Sequence, residues 1–438
     1  MLYRILKVLL GIGTRLYYRE IRVTNKERLI QSGPTIIIAN HPNTMLDAWI
    51  IARLSKRPIY YMAKGTFFSS RIKRWFLRGL GMIPVNRFED AKTSGISNQA
   101  AFEECYQLLE RGESLLIFPE GNSTLERQLR ELRPGAARIA LEAEVRNDGE
   151  LGVQILPIGI IYVEGDKFRS SALLRIGELI DPMEYYEKYR EKQSDTGREL
   201  TAIFRERLEG LLVNSSSKEQ DDLVDSIVKI VEGDVLFRGA HSVEQRVDLI
   251  KLIHNKLNAV YLSEPWRLSE IEQLVSKISW QIETLGVDPK FLSAKLNRGI
   301  VFRQSVLIIA EFTIGFPVFV LGFVHNVFPF QVTSLIMPKL VKVAEYYAPI
   351  AILLGIVLYP LTYASFLIAA HYLFGFSWWM LIIYFLLMPI SGMIAFYFLK
   401  FLRQVSYKWK YLFLLRGKKN LLARLIADKT ELVETFFG

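Results

Sequence analysis

The chain has 438 residues, a formal net charge of +10, 50% hydrophobic residues and a mean hydropathy of +0.19. This apolar content excludes a disordered or fibrous chain. A run of 54 residues from Tyr346 to Leu399 carries no Lys, Arg, Asp or Glu, which excludes a wholly soluble protein. Such a run has room for two bilayer-spanning helices of about 20 residues each. The single cysteine, Cys105, excludes an internal disulfide framework and a cysteine-based metal cluster, and the five histidines show no paired ligand spacing. No metal is implied. With apolar spans present, the basic balance points to membrane lipids as partner and not to nucleic acid.

Residues 1–20 hold Arg4, Lys7 and a short apolar run, Val8–Ile12, then return quickly to Arg15 and Arg19 without a small-residue cleavage site. An uncleaved interfacial amphipathic helix is expected there. Residues 21–182 alternate short apolar runs with helical patterns. Strands are expected at Thr35–Ala39, Ile59–Ala63, Met82–Val85, Ser114–Phe118, Val153–Val163 and Ala172–Ile176. Ile96, Phe102, Cys105 and Leu109 mark one helix and Ala136–Ala143 another, with Cys105 as a small core residue. The fold class that follows is α/β, a mixed sheet covered by helices. Pro157 inside an apolar strand argues for an edge or a bulge.

Residues 183–304 are charged and helix-forming and read as a helical connector, with the polar stretch Asn214–Asp222 as a linker or loop. Val243, Val247, Ile250, Ile253 and Leu257 share one helical face. C-terminal transmembrane helices follow. The 305–345 stretch is apolar but contains Glu311, Gly315 and Pro317, so a re-entrant or membrane-associated hairpin broken at Pro317 is expected. Residues 346–402 supply a transmembrane helix pair, Ala348–Ala370 and Phe376–Leu399. Eight basic and no acidic residues between Lys400 and Ala427 make 403–438 a basic tail, expected on the cytoplasmic face. An α/β domain on that same face requires an even number of crossings, which is why a hairpin is expected before the pair.

The chemistry-bearing residues sit where strands end. Asn40-His41-Pro42-Asn43-Thr44-Met45-Leu46-Asp47 follows the first of the expected strands, and Pro42 biases His41 towards extended backbone. His41 and Asp47 can meet only if His41 precedes a helix and Asp47 lies in its first turn. Asp47 also fits a capping arrangement with Thr44 as N-cap. Gly81-Met82-Ile83-Pro84-Val85-Asn86-Arg87 ends in an arginine suited to bidentate phosphate recognition, or simply a surface charge. In Phe118-Pro119-Glu120-Gly121-Asn122-Ser123, Glu120 can bind a substrate hydroxyl, hold Arg87, or pair with a nearby lysine. Arg133-Pro134-Gly135 opens a helix whose start favours anions.

In order and spacing, NHPNTMLD, GMIPVNR, FPEGNS, LRPGAAR and ILPIGI resemble the block motifs of the glycerophospholipid acyltransferase family. The resemblance covers about residues 20–180, and the Ile155–Ile180 segment is most similar to the membrane-bound glycerol 3-phosphate or dihydroxyacetone phosphate branch. Five residues separate His41 from Asp47 where the commonest form of the motif has four, a spacing that some members of this branch share. Arg133 stands where many members have lysine.

The resemblance implies transfer of a fatty acyl group from acyl-CoA or acyl carrier protein, as substrate and not cofactor, to a phosphorylated glycerol acceptor. His41 is then the general base and Asp47 its orienter, while Arg87, Glu120, Gly121 and Arg133 bind substrate. An acceptor that is already acylated, 1-acylglycerol 3-phosphate, is the alternative. A catalytically silent membrane protein that keeps the fold as a lipid-binding or assembly module is the alternative of another class.

Overall fold

The computed structural model describes residues 2–30, 32–85, 98–215, 217–235, 242–292, 298–417 and 419–437. They fall into two compact units, Met1–Lys218 with Val341–Leu353, and Glu219–Leu340 with Leu354–Gly438.

The first unit is built on a seven-stranded sheet: β1 (Glu20–Thr24), β2 (Thr35–Ala39), β3 (Ile59–Lys64), β4 (Met82–Val85), β5 (Ser114–Ile117), β6 (Gln154–Tyr162) and β7 (Ser171–Ile176). Its helices are α1 (Leu2–Tyr17), α2 (Met45–Leu54), α3 (Arg71–Gly79), α4 (Gln99–Glu110), α5 (Gly135–Arg146), α6 (Tyr186–Glu191) and α7 (Gln193–Leu211). The strand order is β1-β7-β6-β2-β5-β3-β4, with β6 and β7 antiparallel and every other pair parallel. The six expected strands are all present, so the mixed α/β sheet is as expected.

Crossover handedness distributes the helices. The β2-α2-β3 and β3-α3-β4 connections step one way along the sheet, and β4-α4-β5 and β5-α5-β6 step back. Right-handed crossovers therefore put α2 and α3 on one face and α4 and α5 on the other. Packing agrees: α1 lies on α2, and α4 lies against α5. Both faces being covered, the central strands β2 and β5 are buried along their whole lengths. Cys105 is fully buried on α4, and its apolar surroundings push its thiol up to about 12.

Three expectations need correction. First, Pro157 is not on an edge, since β6 is the third strand in. It sits at a bulge: two residues separate Ile155 from Ile158, whereas three separate their partners Ile180 and Ile176. The ladder is irregular where proline lacks its N–H. Second, the α/β unit does not end at 182. The helix α7 packs on α5 and β6, burying Leu200, Phe204 and Leu208 completely beneath its charged face. Gly159 lets α7 come this close, because a Cβ there would lie 2.7 Å from the Leu211 Cβ. Third, the 214–222 loop is cut short by a helix that starts at Lys218, although the boundary between units does fall there.

The second unit is helical: α8 (Lys218–Val235), α9 (Val243–Ser263), α10 (Pro265–Leu285), α11 (Pro289–Leu292), α12 (Arg298–Leu340), the continuation of α13 (Tyr347–Phe374), α14 (Trp378–Gly417) and α15 (Lys419–Phe437). The predicted face Val243, Val247, Ile250, Ile253 and Leu257 is buried, and α9 packs on α10. The hairpin expected at 305–345 is instead one continuous 43-residue helix with Pro317, Pro329 and Pro338 inside it. A bilayer offers no water to satisfy backbone groups freed at a helix break, so prolines there are accommodated within the helix and do not end it. Gly322 brings α12 against α14 so closely that a Cβ would collide with the Ser391 carbonyl oxygen. Among the described residues three helices, Ile308–Leu340, Ala344–Phe374 and Trp378–Tyr411, are long and apolar enough to cross a membrane. Three is odd, so a shared face for the α/β domain and the basic tail does not follow from these helices.

If α7 belongs to the α/β core, Phe204→Ala should destabilise that unit by about 3–5 kcal/mol. Hydrogen exchange of the β6 amides in the full chain checks this, and exchange as slow as in the unsubstituted protein would refute it.

Candidate active site

The site forms at the carboxyl ends of β2, β5 and β6. Asn40, just past β2, extends the sheet with its side chain. Its Nδ2 donates to the Ile160 carbonyl at 2.9 Å, and its Oδ1 accepts from the Ile160 N–H at 2.7 Å. This fixes the direction in which the next residue leaves the strand. His41 is then held on three sides. Its backbone N–H donates to Glu120 Oε1 at 2.9 Å, its carbonyl accepts from Thr124 N–H at 3.1 Å, and its ring stacks on Phe118 at 3.9 Å between centroids.

The chain turns sharply at Thr44, a β-branched residue with φ of 43°. Such a conformation is costly and is characteristic of functional sites. The α2 helix then begins, with Asp47 in its first turn. Asp47 Oδ2 lies 2.9 Å from His41 Nδ1 and accepts from the Asn43 N–H at 2.7 Å. Thr44 makes no side-chain cap; its hydroxyl donates to the Glu345 carbonyl at 3.1 Å. The arrangement is thus a His–Asp pair and not a helix cap.

Asp47 has no exposed side-chain surface, and His41 keeps 17%. Burial pushes the Asp47 carboxyl above its ordinary range, while bonds from His41, Asn43 and Tyr162 pull the other way. With Nδ1 facing a carboxylate, the ring proton sits on Nδ1 and Nε2 carries the lone pair.

Tyr162, at the end of β6, is the residue that sequence reasoning missed. Its hydroxyl donates to Asp47 Oδ1 at 2.8 Å, so both carboxylate oxygens are engaged. Burial, first of all, then the Asp47 charge, holds the Tyr162 phenol protonated well above its ordinary range. Tyr18, which follows α1, is also buried here, donating to the Gly165 carbonyl and accepting from Asn43 Nδ2 at 3.2 Å. Tyr162 ends an apolar run and reads as core, and nothing local marks its hydroxyl as pointing to Asp47.

The remaining residues of interest divide. Glu120 is buried, with Oε1 on His41 N–H and Oε2 accepting from Arg130 N–H at 3.1 Å. Burial raises its pKa against those two hydrogen bonds. Its position is that of a brace between the His41 turn and the loop after β5. Gly121 has φ of +73°, and a Cβ there would come within 3.3 Å of Arg133 Nε, so the exposed Arg133 side chain lies directly over it. Arg133 N–H donates to the Pro119 carbonyl at 2.9 Å, and α5 opens two residues later. Glu120, Gly121 and Arg133 are therefore gathered on one loop beside His41. Arg87 lies outside the described residues.

A histidine with its carboxylate partner on one nitrogen and a lone pair on the other, at the carboxyl edge of an α/β sheet, has the geometry by which a general base can activate a hydroxyl. A family model described as Acyltransferase matches residues 20–161, and this region belongs to the glycerophospholipid acyltransferase family. Glycerol-3-phosphate O-acyltransferase 2 of Saccharomyces cerevisiae is 26% identical over 227 residues, covering 51% of this chain and 30% of its own. A chloroplastic 1-acyl-sn-glycerol-3-phosphate acyltransferase of Arabidopsis thaliana is 25% identical over 145 residues, 33% of this chain and 36% of its own. The chain thus matches about a third of the length of each of these relatives. The crystal structure of a Thermotoga maritima 1-acyl-sn-glycerophosphate acyltransferase is similar with 19% identity and a TM-score of 0.34, over 47% of this chain and 79% of that one.

Removing the Tyr162 hydroxyl makes the Asp47 carboxylate more basic and strengthens its hold on a protonated His41. Both effects raise the apparent pKa of the pair. Tyr162→Phe should therefore move the acid limb of kcat to higher pH and lower the plateau by about tenfold to a hundredfold, the worth of one hydrogen bond to a charged group. A pH–rate profile checks it, and an unmoved limb would show that Tyr162 does not act through Asp47.

Proposed function

We propose that this chain is a membrane-bound O-acyltransferase that moves a fatty acyl group from a thioester, acyl-CoA or acyl carrier protein, to glycerol 3-phosphate or dihydroxyacetone phosphate. The observation that carries the reading is the His41–Asp47 pair, 2.9 Å apart at the strand ends of a domain of this family. His41 Nε2 takes the proton of the acceptor hydroxyl as that oxygen attacks the thioester carbonyl. The new C–O bond forms, the C–S bond breaks, and the imidazolium returns its proton to the departing thiolate. Asp47 fixes the tautomer and stabilises the imidazolium. Since the thioester is already activated, no covalent acyl-enzyme is needed, and Ser123 has no nucleophilic role.

Arg87 and the exposed Arg133 supply the positive charge for the acceptor's phosphate, and Gly121 gives close access to backbone beside it. Glu120 contributes by holding the His41 turn in register. The donor's acyl chain and the acylated product are amphiphilic, which suits an enzyme with three helices able to cross a membrane. The α/β domain and the basic tail are proposed to face the cytoplasm, which requires that only two of the three candidate helices cross the membrane. The match to the yeast glycerol-3-phosphate acyltransferase, 227 residues, is longer than the 145-residue match to the plant relative and favours the smaller acceptor. The plant relative's name supports 1-acylglycerol 3-phosphate as the second reading.

Purified protein in detergent should acylate glycerol 3-phosphate or dihydroxyacetone phosphate with one acyl-CoA. His41→Ala should lose roughly 10²–10⁴-fold in kcat. Turnover of 1-acylglycerol 3-phosphate alone would replace the first reading by the second, and full activity in His41→Ala would sink the mechanism for every acceptor.

A further inference from the structure

A nine-residue helix is marginal in water unless one of its faces is packed. Yet α3, Arg71–Gly79, has no buried residue. Ser70 caps its start by accepting from the Lys73 N–H at 3.2 Å, and Arg78 pairs with Glu104 on α4. At about 100° per residue, Ile72, Trp75 and Phe76 share an arc of roughly 100°, whereas the half-buried Leu77 lies nearly opposite. The packed side of the helix is thus the Leu77 side, and its most apolar side faces outward. Ile72 is 80% exposed, Trp75 69%, and Phe67 in the preceding turn 43%. Isolated exposed apolar residues need no explanation, but a contiguous set of this size on a single short helix does.

The charge around this face identifies its occupant. From Lys64 to Val85 there are five basic residues and no acidic one. Arg71 and Lys73 flank the apolar arc, and with Arg74 they form no ion pair among the described residues. A protein partner would need an acidic apolar surface. A bilayer with anionic headgroups supplies both properties at once, with tryptophan at headgroup depth and long basic side chains reaching up to the phosphates.

The position fits as well. Through the turn at Gly65–Phe68, α3 starts from the carboxyl end of β3, the edge of the sheet that carries His41. It shares its face of the sheet with α1, which itself exposes Ile5, Val8, Ile12 and Leu16.

We propose that α3 with the turn before it is an interfacial docking element that seats the α/β unit on an anionic membrane surface, separately from the helices able to cross the bilayer. The inference does not rest on the acyl-transfer reading.

The test needs no turnover, so it fails or succeeds apart from that reading. Cys105 is buried, which leaves an introduced surface cysteine as the reactive thiol. Full-length Ile72→Cys and, separately, Trp75→Cys are labelled with an environment-sensitive nitrobenzoxadiazole dye. They are placed in nanodiscs of phosphatidylcholine with or without phosphatidylglycerol, with Glu150→Cys as the exposed control. The expected result is emission at shorter wavelength, quenched by lipids brominated near the headgroup, in the phosphatidylglycerol discs and not at position 150. Adding Arg71→Glu, Lys73→Glu and Arg74→Glu to Trp75→Cys should abolish that quenching. Emission matching position 150 would overturn the proposal. So would a blue-shifted label that bromolipids leave unquenched, which would mean that protein covers α3.

Discussion

A carboxylate with no exposed surface must find a donor for each oxygen or lose its charge, and this constraint organises the α/β unit. The donors to Asp47 come from the turn after β2, the backbone of Asn43 and the end of β6. Bringing them together requires β2 and β6 to be neighbours, α2 to begin within a few residues of the strand, and Thr44 to adopt a conformation that β-branched residues avoid. The strain at Thr44 and the burial of Asp47 are two sides of one arrangement. Each costs free energy alone, and together they fix the face of His41 that carries a lone pair.

Glu120 has the corresponding role a layer further out. Its two oxygens tie the His41 turn to the loop that carries Gly121 and Arg133. A buried acid that accepts two backbone N–H groups is a fastening.

Much of this was legible in the residues. The interior strands announced themselves because both of their faces are buried, which leaves uninterrupted apolar runs such as Thr35–Ala39. The edge strand β1 was not, because its charged Glu20 and Arg22 alternate with apolar residues and no face is fully covered. In α7 the charges concealed Leu200, Phe204 and Leu208, a narrow stripe four residues apart that is enough to bury one side of a helix. His41 and Asp47 could be named from their motif, with geometry left open between pair and cap. Tyr162 could not, since its hydrogen bond joins residues 115 positions apart. Pro317 misled because the rule that proline ends helices is a rule for water.

The pairing of β1 with β7 has a consequence for how the chain is made. Glu20 lies opposite Ser171, and among the described residues β1 has no other strand beside it. At about 5–20 residues per second, its partner leaves the ribosome roughly ten to thirty seconds later. Through that interval the first strand has no partner along either edge, although α1 before it can already rest on α2. The unit cannot complete its sheet in the order in which it is synthesised. Its first strand must wait for its last, so a surface that shelters β1 during that wait would protect the nascent chain from association with its neighbours.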